Sequence, residues 1–148
     1  MFRGVATLNL DSKGRLAVPS RYRDALQNQA EGRVIVTIDP SQCLLLYPLP
    51  EWEPIEQKLN SMSGFNPQTR SLQRMLVGNA HDLELDASGR VLLPAMLRDF
   101  AALEKSVVLV GQGRKFEIWN EARWQAQIEQ ALVFRNGDMP PELEGFSL

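Results

Sequence analysis

The chain has 148 residues, 44% of them apolar, with 16 Lys and Arg against 18 Asp and Glu for a formal net charge of −2, which suits one soluble globular domain or two half-size units and excludes general disorder. A lone cysteine, Cys43, and a lone histidine, His81, exclude an intrachain disulfide and a zinc site of ordinary ligands. Apolar runs such as Leu44 to Tyr47 and Val107 to Val110 fall far short of the about 20 residues that span a bilayer, and the N-terminus lacks a signal peptide's apolar core, so a chain that is neither secreted nor membrane-inserted is expected.

From the N-terminus, Ala6-Thr-Leu-Asn-Leu10 alternates apolar and polar residues, the pattern of a half-buried strand. In Asp11-Ser-Lys-Gly-Arg15 the aspartate can accept from backbone N–H groups two residues on, and Gly14 permits the positive φ of a tight reversal. Arg15 to Val18 is then a return strand, stopped by Pro19, and Tyr22, Ala25 and Leu26 give the following short helix an apolar face. Strands are expected over Arg33–Ile38 and Leu44–Tyr47, then a helix from about Glu51 to Met62 carrying Trp52, Ile55 and Leu59. A breaker cluster, Ser63 to Pro67, precedes a connecting helix from Gln68 to Val77 with Leu72, Met75 and Leu76 at helical spacing.

The second part repeats this order. His81 to Leu85 alternates, Asp86-Ala-Ser-Gly-Arg90 turns on Gly89, and Arg90 to Leu93 returns until Pro94. Leu97, Phe100 and Ala101 mark a short helix, followed by strands over Ser106–Gly111 and Phe116–Trp119, with Gly111-Gln-Gly113 read as a hairpin turn rather than a dinucleotide fingerprint. Asn120 is placed to cap a last helix bearing Trp124, Ile128 and Leu132. The stretch 136–148, rich in Gly, Pro and acid, is expected to be mobile.

Leu10 to Asp24 therefore returns as Leu85 to Asp99, 75 residues on, with Leu, Asp, Gly, Arg, Pro, Arg and Asp in register. The division expected is a first repeat over 1–50, a helical connector over 51–79, a second repeat with its helix over 80–135, and the tail over 136–148. Four short strands per copy are too few to bury a sheet alone, so the copies should share one core about a pseudo-twofold axis. The expected fold is α+β, mostly β: a compact β-barrel with flanking short helices.

The opening Met1-Phe-Arg-Gly4, the motif Leu10-Asp-Ser-Lys-Gly-Arg-Leu-Ala-Val-Pro19, its second copy Leu85 to Pro94 with Leu97-Arg98, and Phe116-Glu-Ile-Trp119 closely resemble the MraZ family of bacterial transcriptional regulators. The resemblance covers nearly the whole chain and is weakest over the last dozen or so residues. It implies a duplicated swapped-hairpin barrel related to AbrB-like DNA-binding domains. It also implies a cytoplasmic, nucleoid-associated repressor that binds direct repeats in its own promoter, at the head of the division and cell-wall gene cluster, and that assembles into rings.

The residues themselves carry part of this reading. Arg15 and Arg90 follow glycine turns at strand starts, where a guanidinium can meet phosphates or the O6 and N7 of guanine. The competing reading is that Asp11 with Arg15, and Asp86 with Arg90, only stabilise their turns. From Met1 to Arg23 five basic residues, Arg3, Lys13, Arg15, Arg21 and Arg23, face one acid, Asp11, a local +4, whereas Ala80 to Arg98 sums to −1. The N-terminal copy is thus expected to make the main DNA contact through Arg15, Lys13, Arg3 and Arg21, with Arg90 kept either as an auxiliary contact or for turn geometry, while Asp11, Gly14, Asp86 and Gly89 shape the turns. The partners expected are double-stranded DNA and further copies of the chain, with no membrane, small-molecule substrate, cofactor or metal. An enzyme is not expected, since no Ser/His/Asp set, metal cluster or phosphate-cradling loop is present. A protein-interaction scaffold is the standing alternative, and burial of Lys13 and Arg15 in intrasubunit pairs or at a subunit interface would favour it. Trp52, Trp119 and Trp124 are expected to pack helices on the barrel rather than stack on bases, Cys43 to be a small core residue, and Arg70 and Arg74 to lie on a solvated or subunit-contact face.

Overall fold

A computed structural model of the chain describes residues 1–132, 140–143 and 145. The elements in order are β1 (Phe2–Asn9), β2 (Arg15–Ala17), α1 (Ser20–Ala30), β3 (Arg33–Ile38), β4 (Leu44–Pro48), α2 (Leu49–Ser61), α3 (Pro67–Leu76), β5 (His81–Glu84), β6 (Arg90–Leu92), α4 (Ala95–Phe100), β7 (Ser106–Gly113), β8 (Phe116–Asn120) and α5 (Glu121–Leu132), with a 3-10 turn at Pro141–Leu143. The expectation of a mobile tail over 136–148 falls mostly outside the described residues.

The fold is α+β, built on an antiparallel sheet of six strands in the order β1-β7-β8-β4-β3-β5 and a separate ribbon of β2 with β6. Exchanging the two copies maps the six-strand order onto itself, because β1 corresponds to β5, β7 to β3 and β8 to β4. The axis of that exchange can be read from the register. Leu16 lies opposite Val91 in the ribbon, and Leu45 opposite Glu117 where β4 meets β8, and each pair joins equivalent positions of the repeat. Neither copy completes its own sheet: β1 of the first pairs along its whole length with β7 of the second, from Phe2 opposite Gly113 to Asn9 opposite Ser106, while β5 of the second pairs with β3 of the first.

The expected closed barrel does not form. β1 and β5 remain the two edges of the sheet. The return strands that would close it are three residues each and are followed one residue later by Pro19 and Pro94, which donate no ladder bond and fix φ for the helices that follow. They pair with each other instead, and Val18 N–H and Leu93 N–H donate to the carbonyls of Gly89 and Gly14, tying each return strand to the other copy's turn.

This leaves both faces of the sheet to be covered. Leu16, Val18, Val91 and Leu93 from the ribbon side, with Leu26 of α1 and Leu97 of α4, pack on Val36, Leu44, Leu46, Leu109, Phe116 and Ile118. On the opposite face Trp52 of α2 packs with Ile35, Leu45 and Tyr47, and Trp119, with Trp124 of α5 beside it, packs with Cys43, Val108 and Val110. The central strands are therefore buried on both faces, which is why they read as continuous apolar runs rather than alternating ones. The three tryptophans and Cys43 take the packing roles expected of them. Burial raises the Cys43 thiol pKa strongly, with the Glu117 and Asp39 carboxylates adding to the effect, so it stays protonated. Asn120 Oδ1 accepts from Arg123 N–H at 3.0 Å, capping α5, and Asn66 caps α3 in the same way. α3 alone has no counterpart in the second copy among the described residues, and it carries Arg70 and Arg74 on its exposed surface.

Candidate nucleic-acid interface

Each copy's turn is organised by one aspartate. Asp11 Oδ1 accepts from the backbone N–H of Lys13 at 2.9 Å and of Arg15 at 2.8 Å, while Oδ2 holds Arg15 Nε at 2.6 Å. Asp86 repeats the arrangement with Ser88 N–H and Arg90 N–H, both at 2.9 Å, and Arg90 Nε at 3.0 Å. Gly14 and Gly89 adopt φ of 85° and 75°, as the reversal requires. Arg98 of the second copy lies over Gly14, so that a Cβ there would sit 2.6 Å from its guanidinium, and Arg23 of the first copy lies in the same way over Gly89. Both arginines are fixed by their Nε atoms, Arg23 to the carbonyl of Val18 at 2.6 Å and Arg98 to that of Leu93 at 3.0 Å. The turns are thus roofed reciprocally, each by a cation from the other copy. Sequence reasoning gave Arg23 and Arg98 no site role; their recurrence in register with the motif was the signal available.

Because Leu16 and Val91 point into the core with no exposed surface, strand alternation puts Arg15, Ala17, Arg90 and Leu92 together on the outer face of the ribbon. Arg15 stands directly opposite Leu92, and Arg90 opposite Ala17. The two arginines are diagonal neighbours, their Cα atoms about 7–8 Å apart by strand geometry. Their side chains retain 29% and 36% exposure, and among the described residues the side-chain hydrogen bonds they make run through Nε, to Asp11 and Asp86. Lys13 is exposed at the tip of the first turn. Asp11 therefore stabilises its turn through Arg15 Nε while the Arg15 side chain stays partly exposed.

Arg3 and Arg21 do not join this cluster. Arg21 lies over the Tyr22 ring at 4.7 Å, the Tyr22 hydroxyl donates to the Arg3 carbonyl, and both cations border Gly4 at the start of β1. The length of β1 puts Arg3 roughly 25 Å from the Asp11 turn, and the Arg21 guanidinium lies at that far end beside Gly4. The residues expected to contact DNA are thus split into two groups, Lys13, Arg15 and Arg90 on the ribbon and its turn, and Arg3 with Arg21 beyond it.

The Asp11 carboxyl is pulled down from 3.8 to about 2, first by the Arg15 backbone N–H, which outweighs an opposing desolvation effect, and further by the Arg15 side chain and the Lys13 N–H. Asp86 is lowered for the corresponding reasons. A folded pKa below the unfolded value means that the contribution to stability is complete above about pH 4 and is lost as the pH falls toward 2. Acid titration of unfolding free energy should accordingly show a shallower slope between pH 4 and 2 in Asp11→Asn than in the unchanged protein; equal slopes would mean that the turn does not depend on this carboxylate.

Among the described residues no group of His, Cys, Asp and Glu is placed to hold a metal ion, and no helix is long and apolar enough to cross a membrane. What the fold presents is a duplicated chain with exchanged strands and a two-stranded ribbon carrying two arginines on its outer face. The profile of the MraZ protein family, described as antitoxin-like, matches residues 1–75 and again 76–138. The chain is 68% identical to the transcriptional regulator MraZ of Thiobacillus denitrificans, 65% to that of Nitrosospira multiformis and 60% to that of Nitrosomonas europaea, each over 148 residues and the full length of both chains. The chain belongs to the MraZ family. Its relatives are named for regulating transcription and not for catalysis.

Proposed function

We propose that the protein is a sequence-specific, DNA-binding transcriptional repressor that lays the outer face of the β2/β6 ribbon into the major groove. The observation that carries this reading is the pair Arg15 and Arg90 on that face, each held by its Nε with its side chain still partly exposed. A two-stranded ribbon fits the major groove, and a guanidinium fixed through Nε is pre-set for the bidentate contact with guanine. Lys13 at the adjoining tip adds phosphate attraction, and Arg3 and Arg21 supply a second cationic point along the DNA. Burial of Lys13 and Arg15 in intrasubunit pairs would favour the scaffold alternative; Lys13 is exposed, which counts against it, while Arg15 is half-buried in its pair with Asp11.

The exchange of strands between copies supports placing the fold with the AbrB-like swapped hairpins, two halves of one chain doing what two chains do in those relatives. One subunit offers few phosphate contacts and would bind weakly. Assembly of subunits into a ring through head-to-tail contacts would repeat the ribbon at fixed pitch, so direct repeats on one DNA are engaged together and modest affinities multiply. The site of action follows the family resemblance: the promoter of its own gene at the head of the division and cell-wall cluster, in the cytoplasm and on the nucleoid. The test is a salt-dependent binding titration against a duplex from that promoter and a scrambled duplex. Tighter binding to the promoter duplex, with affinity falling steeply with salt, is expected; equal and weak binding to both would return the scaffold reading.

A further inference from the structure

The outer face of the ribbon holds, besides its arginines, one large apolar side chain that the fold does not use. Leu92 is 54% exposed, while its strand neighbours Val91 and Leu93 have no exposed surface. It sits directly opposite Arg15 in the ladder, so the Cβ atoms of the two are about 4.5–5.5 Å apart. The equivalent position in the first copy is Ala17, opposite Arg90. Each arginine is therefore matched across the ribbon with an apolar side chain, a long one beside Arg15 and a short one beside Arg90. Cations alone suffice to hold phosphates, so an exposed leucine between two arginines asks for a ligand that offers both a hydrogen-bonding edge and an apolar group within one base step or so.

The major groove offers that combination, since guanine presents O6 and N7 and thymine presents its C5-methyl group. We infer that Leu92 is a specificity-determining residue that packs on a thymine methyl beside the guanine met by Arg15. This rests on the DNA reading above and deepens it. Ala17 lacks the reach of Leu92, so the two ends of the ribbon read unequally: the Arg15 end selects a thymine next to its guanine and the Arg90 end does so weakly or not at all. This inequality comes from side-chain length and is independent of the charge asymmetry between the copies.

The test uses a duplex selected by the full-length protein from a randomised pool, prepared in two forms, one with thymine and one with deoxyuridine throughout, which differ only in the C5-methyl groups. Binding of the unchanged protein should weaken about three- to fourfold for each contacted methyl lost, Leu92→Ala should bind the thymine form several-fold more weakly and no longer distinguish the two, and Leu92→Met should keep the distinction. Thermal unfolding monitored alongside shows that each variant is folded. Equal binding of both forms by the unchanged protein, or discrimination retained in Leu92→Ala, would overturn the role of Leu92 while leaving DNA binding intact. Failure of the unchanged protein to select any duplex would instead overturn the DNA reading itself.

Discussion

Replacing Arg15 by alanine should lower affinity for the promoter duplex by about ten- to a hundredfold per site, the range expected when a bidentate contact worth about 1–3 kcal/mol is removed. Arg90→Ala should cost less, because the first turn carries Lys13 where the second has Ser88, and because Arg15 is the arginine paired with Leu92. The experiment compares both variants with the unchanged protein over a range of salt concentrations on promoter and scrambled DNA. The expected pattern, if Arg15 meets a base as proposed, is loss of preference between the two duplexes in Arg15→Ala with a modest change in salt slope, as for removal of a base contact rather than a phosphate contact. An intact affinity in Arg15→Ala together with abolished binding in Arg90→Ala would reverse the assignment of the two halves.

The second large effect concerns Leu16, on the opposite face of the same ribbon. It is fully buried, faces Val91 on the pseudo-twofold axis, and packs in the core shared by both copies. Leu16→Ala should destabilise the protein by about 2–5 kcal/mol, a large part of the stability of an ordinary domain. Chemical denaturation should show the midpoint falling with little change in slope. Leu92→Ala, two residues from the ladder partner of Ala17 and exposed, should shift the midpoint only slightly. Comparable losses in the two variants would mean that the ribbon's faces are not divided into a core side and a solvent side.

Much of this division could be read from residues close together in the chain. The Asp-x-x-Gly-Arg turns, the prolines that stop the return strands, the Asn120 cap and the tryptophan-bearing helices all depend on neighbours within a few positions, and each stands where its local signal put it. Longer-range features were not legible. β1 begins at Phe2, four residues before the alternation at Ala6, because Arg3, Gly4 and Val5 owe their strand conformation to β7 rather than to any pattern of their own. The common face of Arg15, Arg90 and Leu92 follows from the register of β2 against β6, which nothing within either motif specifies. The crossing of Arg23 and Arg98 over the opposite copy's glycine is of the same kind. Closure into a barrel was expected from the strand count, and the brevity of β2 and β6 decided against it.

The exchange of strands also sets an order of events during synthesis. Phe2, among the first residues made, finds its ladder partner only in Gly113, and β5 must reach back to β3. A ribosome that has released the first half has supplied the β3/β4 hairpin and α2 but not the strand on which β1 lies, nor the one that pairs with β2. Such long-range pairing carries a loop-closure cost that is met late and slows folding. The amino-terminal segment, with Lys13 and Arg15 on it, therefore waits unpaired until β6 and β7 have emerged, so that a chain interrupted before Arg90 carries Arg15 without the ribbon that aims it.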